Sequence, residues 1–311
     1  MASTRPAWPD LLDPRFRKIY GDELKLIPQI GPSIFHMETS SKNNERDSSA
    51  SGLSKLVRRS EGQAITYEDE VQGFDVTYTH VEDSLGTSVS NRLWEDDQFG
   101  IIKRKPSNLA RAKVRTQEEM MAHILNYGFT AGGGGVSTFT SGDALALFST
   151  AHTREDGGAT QSNRATTDLN EAALETGILA IGTALDHKGQ LYGSKADSLL
   201  VPPSMEKEAR ILLESTQRVG TANNDINPYQ GALKLIVWPW LGSASTGGSD
   251  TAWFLLDSSL HALNFFNRSD RGLEGPEWDF DTKTAKWTVD VVHSVGFSGW
   301  RGIYGSLGDN T

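Results

Sequence analysis

Residues 73–81 read Gly73-Phe74-Asp75-Val76-Thr77-Tyr78-Thr79-His80-Val81. Phe74, Val76, Tyr78 and His80 alternate with Asp75, Thr77, Thr79 and Val81, a period of two that puts successive side chains on opposite faces of a strand. Upstream, Ala64-Ile65-Thr66-Tyr67 offers a partner strand, with Glu68, Asp69 and Glu70 near the turn. The stretch from Gly62 to Gly86 therefore predicts a long hairpin. No helical pattern lies close by in sequence to cover it, and a two-stranded ribbon alone is marginal in water. Either the ribbon joins a distant sheet or it lies on another subunit, because strand edges pair readily with other chains.

Downstream, residues 91–128 predict a long helix. Leu93, Trp94, Ile101 and Ile102 form one stripe, Pro106 marks a break or a fresh start, and Ala110, Val114, Met121 and Leu125 continue at helical spacing to a stop at Gly128. Thr116 and Glu119 fit an internal capping pair. A glycine run at 132–135 opens a Ser/Thr/Gly-rich loop to Arg164, interrupted by Leu145-Ala146-Leu147-Phe148. Asp168 and Glu171 open a second helix carrying Leu174, Ile178, Ile181 and Leu185, and His187-Lys188-Gly189 closes it. Leu199-Leu200-Val201 then reads as a buried strand cut off by Pro202-Pro203, with a helix from Ser204 onward. Ala232–Trp240, Ala252–Asp257 and Leu263–Phe266 are further apolar strands. Trp287, Val289, Val291, His293 and Val295 alternate in a long closing strand that ends near Trp300-Arg301-Gly302. Strands and helices are mixed without strict alternation, which makes the class α+β.

Upstream of the ribbon, residues 1–50 are rich in Pro, Ser, Asn and charge, and Ser40–Ser49 holds no apolar side chain. This segment predicts an extended arm that orders only against something else, with Phe16, Ile19, Tyr20, Leu24, Leu26 and Ile27 as its docking side chains.

The chain has 311 residues, room for about two domains. Its lack of cysteine excludes disulfide frameworks, Cys-ligated zinc, iron–sulfur clusters and thiol nucleophiles. No apolar run approaches the ~18 residues of a membrane helix, and Met1–Asp13 carries prolines and acids where a signal peptide needs an apolar region. A cytosolic origin without membrane contact is the expectation. Net charge is −10, which argues against a general nucleic-acid binder. The charge is uneven: residues 1–60 hold 10 Lys/Arg against 7 Asp/Glu, and the remainder 20 against 33.

No enzyme constellation emerges. The glycine run lacks the Gly-Lys-Ser/Thr that lets a loop cradle phosphate and magnesium. The seven histidines are scattered singly, without zinc spacing. Ser149, His152 and Asp156 imitate a compressed triad, but residues so close in one loop rarely converge and no G-x-S-x-G elbow supports them. Arg58-Arg59 and Lys103-Arg104-Lys105 could touch phosphate, although short charge runs are more often solvated faces. No catalytic, metal-binding or cofactor-binding residue is assigned, and no cofactor is expected. What remains is a set of features for touching other chains.

Four strings carry a resemblance: Leu147-Phe148-Ser149-Thr150-Ala151-His152, Asn224-Asp225-Ile226-Asn227-Pro228, Thr251-Ala252-Trp253-Phe254-Leu255-Leu256-Asp257 and Trp300-Arg301-Gly302-Ile303-Tyr304-Gly305. They span the second half of the chain, which resembles tailed-bacteriophage major capsid proteins of the Mu-like major head subunit family. The resemblance implies the Hong Kong 97-like capsid fold. It would divide the chain into an N-terminal arm at 1–50, an E-loop hairpin at 51–90, a peripheral domain with a spine helix at 91–189, an axial domain at 190–262 and a return to the peripheral domain at 263–311. It implies an E-loop lying across the neighbouring subunit, with Ile65, Tyr67, Phe74, Val76 and Tyr78 as its interface, and arm contacts through Phe16, Tyr20, Arg58 and Arg59. It makes Trp253-Phe254-Leu255-Leu256 structural core.

The resemblance further implies a homo-oligomer of hexamers and pentamers in a shell, located in the virion and assembled in the host bacterial cytoplasm. Its partners would be a scaffolding protein, a portal and decoration proteins, with double-stranded DNA packaged without sequence-specific binding. Residues 1–50 show no long scaffolding-type helix, so scaffolding would be a separate protein or the N-terminus already matured. The acidic body is expected to repel packaged DNA. Rival readings are a tail-tube or decoration subunit, or an α+β hydrolase around His152.

Overall fold

The computed structural model describes residues 9–50, 52–70, 72–90, 93, 100–131, 143–218, 225–279 and 281–308. The apolar runs of the second half form a five-stranded sheet in the order β5-β11-β8-β6-β7. Its strands are β5 (Arg164–Ala165), β6 (Ser198–Val201), β7 (Lys234–Val237), β8 (Trp253–Leu256) and β11 (Ile303–Ser306). These runs are apolar without a polar face because the sheet is covered on both sides. Leu199, Val201, Trp253, Leu255 and Tyr304 join one core with the helices α3 (Glu171–Gly182) and α4 (Glu206–Glu214). Leu200, Phe254, Leu256 and Ile303 face the opposite core, built on the helix α2 (Ile101–Asn126). Trp253-Phe254-Leu255-Leu256 is structural core, alternating between the two.

The second sheet has four strands in the order β1-β9-β10-β4. It is built on a long antiparallel pair, β9 (Leu263–Asp279) and β10 (Thr284–Phe297), flanked by β1 (His36–Thr39), parallel to β9, and β4 (Val81–Ser90), antiparallel to β10. Helix α2 and a helix α1 (Pro9–Leu26) cover one face of this sheet. Phe16, Tyr20, Ile102, Leu109 and Ala110 are buried there with Val89, Leu273, Trp287 and Val289. Phe16 stacks on Trp287 with ring centroids 4.8 Å apart.

Against the expectation of an extended arm, residues 9–26 form a helix. Phe16 and Tyr20 lie one helical turn apart, so a single face buries both aromatic rings. Beyond α1 the chain is tied to α2 by Glu118. One oxygen of this buried carboxylate accepts the N–H groups of Ile30 and Gly31 at 2.9 and 3.0 Å, and the other accepts Trp238 Nε1 at 2.7 Å. A Cβ at Gly31 would sit 2.5 Å from Met121 Cε, so a larger residue there would have to displace the end of that buried side chain.

The ribbon is also composed differently. β3 (Gln72–Thr79) pairs antiparallel with β2 (Asn44–Ala50), from Asn44↔Thr79 to Ala50↔Gln72, and not with Ala64–Tyr67. Residues 44–50 lack an apolar face, but a ladder needs only backbone donors and acceptors. Asp75 adds cross-strand bonds from Arg46 and Ser48. The alternating strand predicted across 74–81 breaks at His80: β3 stays in the ribbon and β4 enters the four-stranded sheet.

Helix α2 runs through Pro106 without stopping. Thr116 is helix interior, its Oγ1 donating to the Ala112 carbonyl at 3.1 Å, a back-bond that replaces the predicted cap. Helix α3 is capped by Asn170, which accepts from the Ala173 N–H at 2.9 Å, two residues later than the predicted Asp168. It ends at Gly182, so Leu185 and His187-Lys188-Gly189 fall in the following loop. Trp94 and the glycine run 132–135 lie outside the described residues.

Candidate assembly surfaces

The ribbon β2–β3 is rooted in its own subunit. Val76 and Tyr78 are buried against Phe266, and the Tyr78 ring meets Phe266 edge-on at 4.9 Å. The Tyr78 hydroxyl lies 2.6 Å from Ser298 Oγ and accepts from Asn264 Nδ2 at 3.3 Å. Burial pushes the Tyr78 hydroxyl up to about 12. Phe74, on the same face, is half-buried and meets the His187 ring edge-on at 6.3 Å. A Cβ at Gly73 would fall 1.7 Å from Glu155 Oε1, which marks how closely β3 approaches the loop around Glu155.

Beyond the ladder, residues 52–70 form no strand. Their two limbs are joined by Glu68, whose carboxylate accepts the Ser54 N–H at 2.9 Å and Ser54 Oγ at 2.8 Å, and by a turn in which Gln63 N–H donates to the Ser60 carbonyl at 3.2 Å. Gly62 takes a φ of +84° in that turn, a conformation glycine adopts without a steric cost. Lys188 Nζ reaches Glu68 at 2.5 Å. With the Ser54 bonds, it holds the Glu68 carboxyl down at about 2. Between the limbs lies a cleft of about 580 Å³ lined by Leu53, Leu56, Val57, Ile65 and Tyr67 with Arg58 and Arg59 beside them.

This loop holds much of the apolar surface that the fold leaves in water. Leu56 is 99% exposed and Tyr67 89%, with Leu53, Val57 and Ile65 also exposed. Scattered exposed apolar residues are ordinary, but a contiguous group marks a contact surface.

The expected interface residues thus separate by exposure. Ile65, Tyr67, Arg58 and Arg59 project into solvent on the loop. Phe16, Tyr20, Val76 and Tyr78 are buried in their own chain, where they position the arm and the ribbon, and Phe74 is half-buried beside His187. Arg58 and Arg59, grouped with the arm in the sequence reading, sit on the loop. Leu53, Leu56 and Val57 were not singled out in the sequence, although three aliphatic residues within five positions of a polar stretch was the available signal.

The apparent triad does not form. His152 is fully buried, its Nδ1 2.8 Å from Asp143 Oδ2, its Nε2 3.1 Å from Asn163 Oδ1, and its ring stacked on Trp300 at 4.5 Å. Ser149 Oγ accepts from the Ala151 N–H at 3.2 Å, and Asp156 is held by both nitrogens of the Arg154 fork. His152 is a post between loop and core, without a nucleophile beside it. Among the described residues no cluster of His, Asp and Glu could hold a metal ion, and no helix is long and apolar enough to cross a membrane.

Residues 75–306 match the phage capsid protein family. The chain belongs to that family. This capsid protein shares its fold with solved phage and GTA particles. Against Gordonia phage Cozz the TM-score is 0.54 at 13% identity, covering 90% of this chain and 86% of that one. Against the bacteriophage JBD30 capsid it is 0.57 at 14%, covering 70% and 92%. Against the capsid of the native GTA particle it is 0.57 at 11%, covering 91% and 92%. No curated protein matches the chain. The α+β fold is the Hong Kong 97-like capsid fold, and the chain is a major capsid protein of the tailed-phage type, a structural component of the virion. The tail-tube and decoration readings give way to it.

Proposed function

We propose that this capsid protein closes into hexamers and pentamers of an icosahedral shell around double-stranded DNA, with the loop 52–70 of each copy seated on the next. The observation that carries the reading is the exposed group Leu53, Leu56, Val57, Ile65 and Tyr67 at the end of a ribbon whose root is firmly packed. A subunit that buries this surface on a different patch of its neighbour makes a heterologous contact, the kind that closes rings. The four-stranded sheet with α1 and α2 would form the peripheral domain and the five-stranded sheet with α3 and α4 the axial domain, which moves α3, β5 and β11 out of the peripheral bounds 91–189 and 263–311 drawn from the resemblance. The role is structural and non-enzymatic. Scaffolding and portal proteins are the partners that assembly in a host cytoplasm requires, and decoration proteins would join the finished shell.

Negative-stain electron microscopy of the expressed chain, alone and with its scaffold, tests this. Closed shells or six- and five-membered rings are expected. The double variant Leu56→Ser, Tyr67→Ser should keep its circular dichroism spectrum and melting temperature yet fail to assemble. Open tubes of stacked rings, or shells formed equally well by the variant, would sink the proposal.

A further inference from the structure

The chain is acidic overall, at −10, yet α1 and α2 together hold ten lysines and arginines against six acids, and only two of those acids, Asp22 and Glu23, fall within 14–26 and 102–117, where all ten cations lie. Both helices lie on one face of the four-stranded sheet, α1 against β9 and α2 against β4 and β10. Their sides away from the sheet are therefore one surface. On α2 the exposed residues Arg104, Asn108, Arg111 and Arg115 recur at intervals of four, three and four, a single helical stripe about 16 Å long. On α1 the exposed residues Arg15, Lys18, Asp22 and Lys25 follow at three, four and three. The buried Phe16, Tyr20, Leu109 and Ala110 point the other way, into the sheet.

Arg111 pairs with Glu23 at 2.7 Å and Arg17 donates to the Gly275 carbonyl at 3.2 Å. Arg15, Lys18, Lys25, Lys103, Arg104 and Arg115 have no ion-pair partner among the described residues. Like charges gathered this way repel one another, and an external anion removes the cost. Five of the eight exposed cations on the two helices are arginines, whose planar forks suit phosphate. Between the arginines of α2 the exposed residue is the polar Asn108, and Leu26 at the end of α1 is the exposed large apolar residue of the two helices among the described residues.

We propose that the α1–α2 face binds the phosphodiester backbone of double-stranded DNA. Cations in a row along a helix position a duplex without reading bases, so the contact is independent of sequence. The expectation that an acidic body only repels DNA is thereby revised: charge is segregated, with the anionic excess elsewhere. The proposal rests on the capsid reading only for the source of the DNA.

Fluorescence anisotropy of a labelled duplex of about 30 base pairs with the full chain, between about 50 and 200 mM salt, tests it. The surface variant Arg15→Gln, Lys18→Gln, Arg104→Gln, Arg115→Gln should lose at least about tenfold in affinity at the lowest salt. Its slope of log K against log salt should fall by about 3.6, at about 0.9 per phosphate contact removed. Arg58→Gln, Arg59→Gln on the loop should bind like the parent. Arg104→Glu alone, with a parent-like melting curve, should weaken binding in the same direction. Absence of binding by the parent, or unchanged binding by the helix variants, would overturn the proposal. Displacement of duplex by polyglutamate more strongly than by unlabelled duplex of equal charge would reassign the face to an acidic protein. Shell formation is read separately by microscopy: shells without DNA binding defeat this inference alone, and DNA binding by a chain that never assembles defeats the capsid-assembly reading alone.

Discussion

His261 shows how much a single side chain depends on its neighbours. Its ring stacks on His36 at 4.3 Å, its Nδ1 accepts the Leu263 N–H at 3.2 Å, and its carbonyl accepts from His36 Nε2 at 2.9 Å. Burial, reinforced by His36, pushes the His261 imidazole down to about 4, with Asp257 and Asp197 opposing. An unfolded histidine titrates near 6.5, so between about 6.5 and 4 the unfolded chain binds a proton that the folded chain refuses. Stability is complete above that window and declines as pH falls through it, by about 3 kcal/mol for this group alone. Burial depresses His293 in the same direction. Urea midpoints should fall between about pH 8 and pH 5, and His261→Gln should flatten the decline. A parent chain equally stable at both values would refute this account.

At the scale of elements, Glu118 joins three segments distant in sequence: the end of the arm at Ile30 and Gly31, helix α2, and Trp238 after β7. Its burial raises its pKa while the three donors oppose the rise. Glu118→Ala leaves these donors without their acceptor and should cost about 3 kcal/mol. Glu118→Gln retains one oxygen for the two backbone N–H groups but turns an amide donor toward Trp238 Nε1, so its loss should be smaller and confined to that contact. Urea denaturation of the two variants checks the order; equal losses would mean that the arm bonds contribute nothing. No residue pattern announced this junction, because a glutamate beside Glu119 in an amphipathic helix reads as solvated until the packing encloses it. The ribbon was misread for a related reason: apolar alternation identified β3 but could not name its partner, since β2 pairs through backbone alone.

Taken whole, the molecule combines a firmly packed body with one loop left in water. Trypsin should cut the unassembled subunit first after Lys55, Arg58 or Arg59, which lie exposed in a segment without strand structure, and leave the cores intact. In assembled shells the same bonds should be protected. Mass spectrometry of timed digests reads both. First cleavage elsewhere in the subunit, or no protection on assembly, would contradict the seating of the loop on a neighbour.

The sequence by itself determined the α+β class, the long helix and the apolar strands between Leu199 and Val295, which rest on local period and on apolar runs that have one physical solution, burial. The kinship with phage capsid proteins rested on the four strings in the second half of the chain. The sequence also marked Ile65, Tyr67, Arg58 and Arg59 as outward-reaching residues. The tertiary structure alone decided that Phe16, Tyr20, Val76 and Tyr78 are spent inside the subunit, that His152 is a post without a nucleophile, and that the cations of α1 and α2 share one surface. An apolar side chain pays no regard to which surface buries it, and charges far apart in sequence gain a common field only when the fold lays their helices side by side.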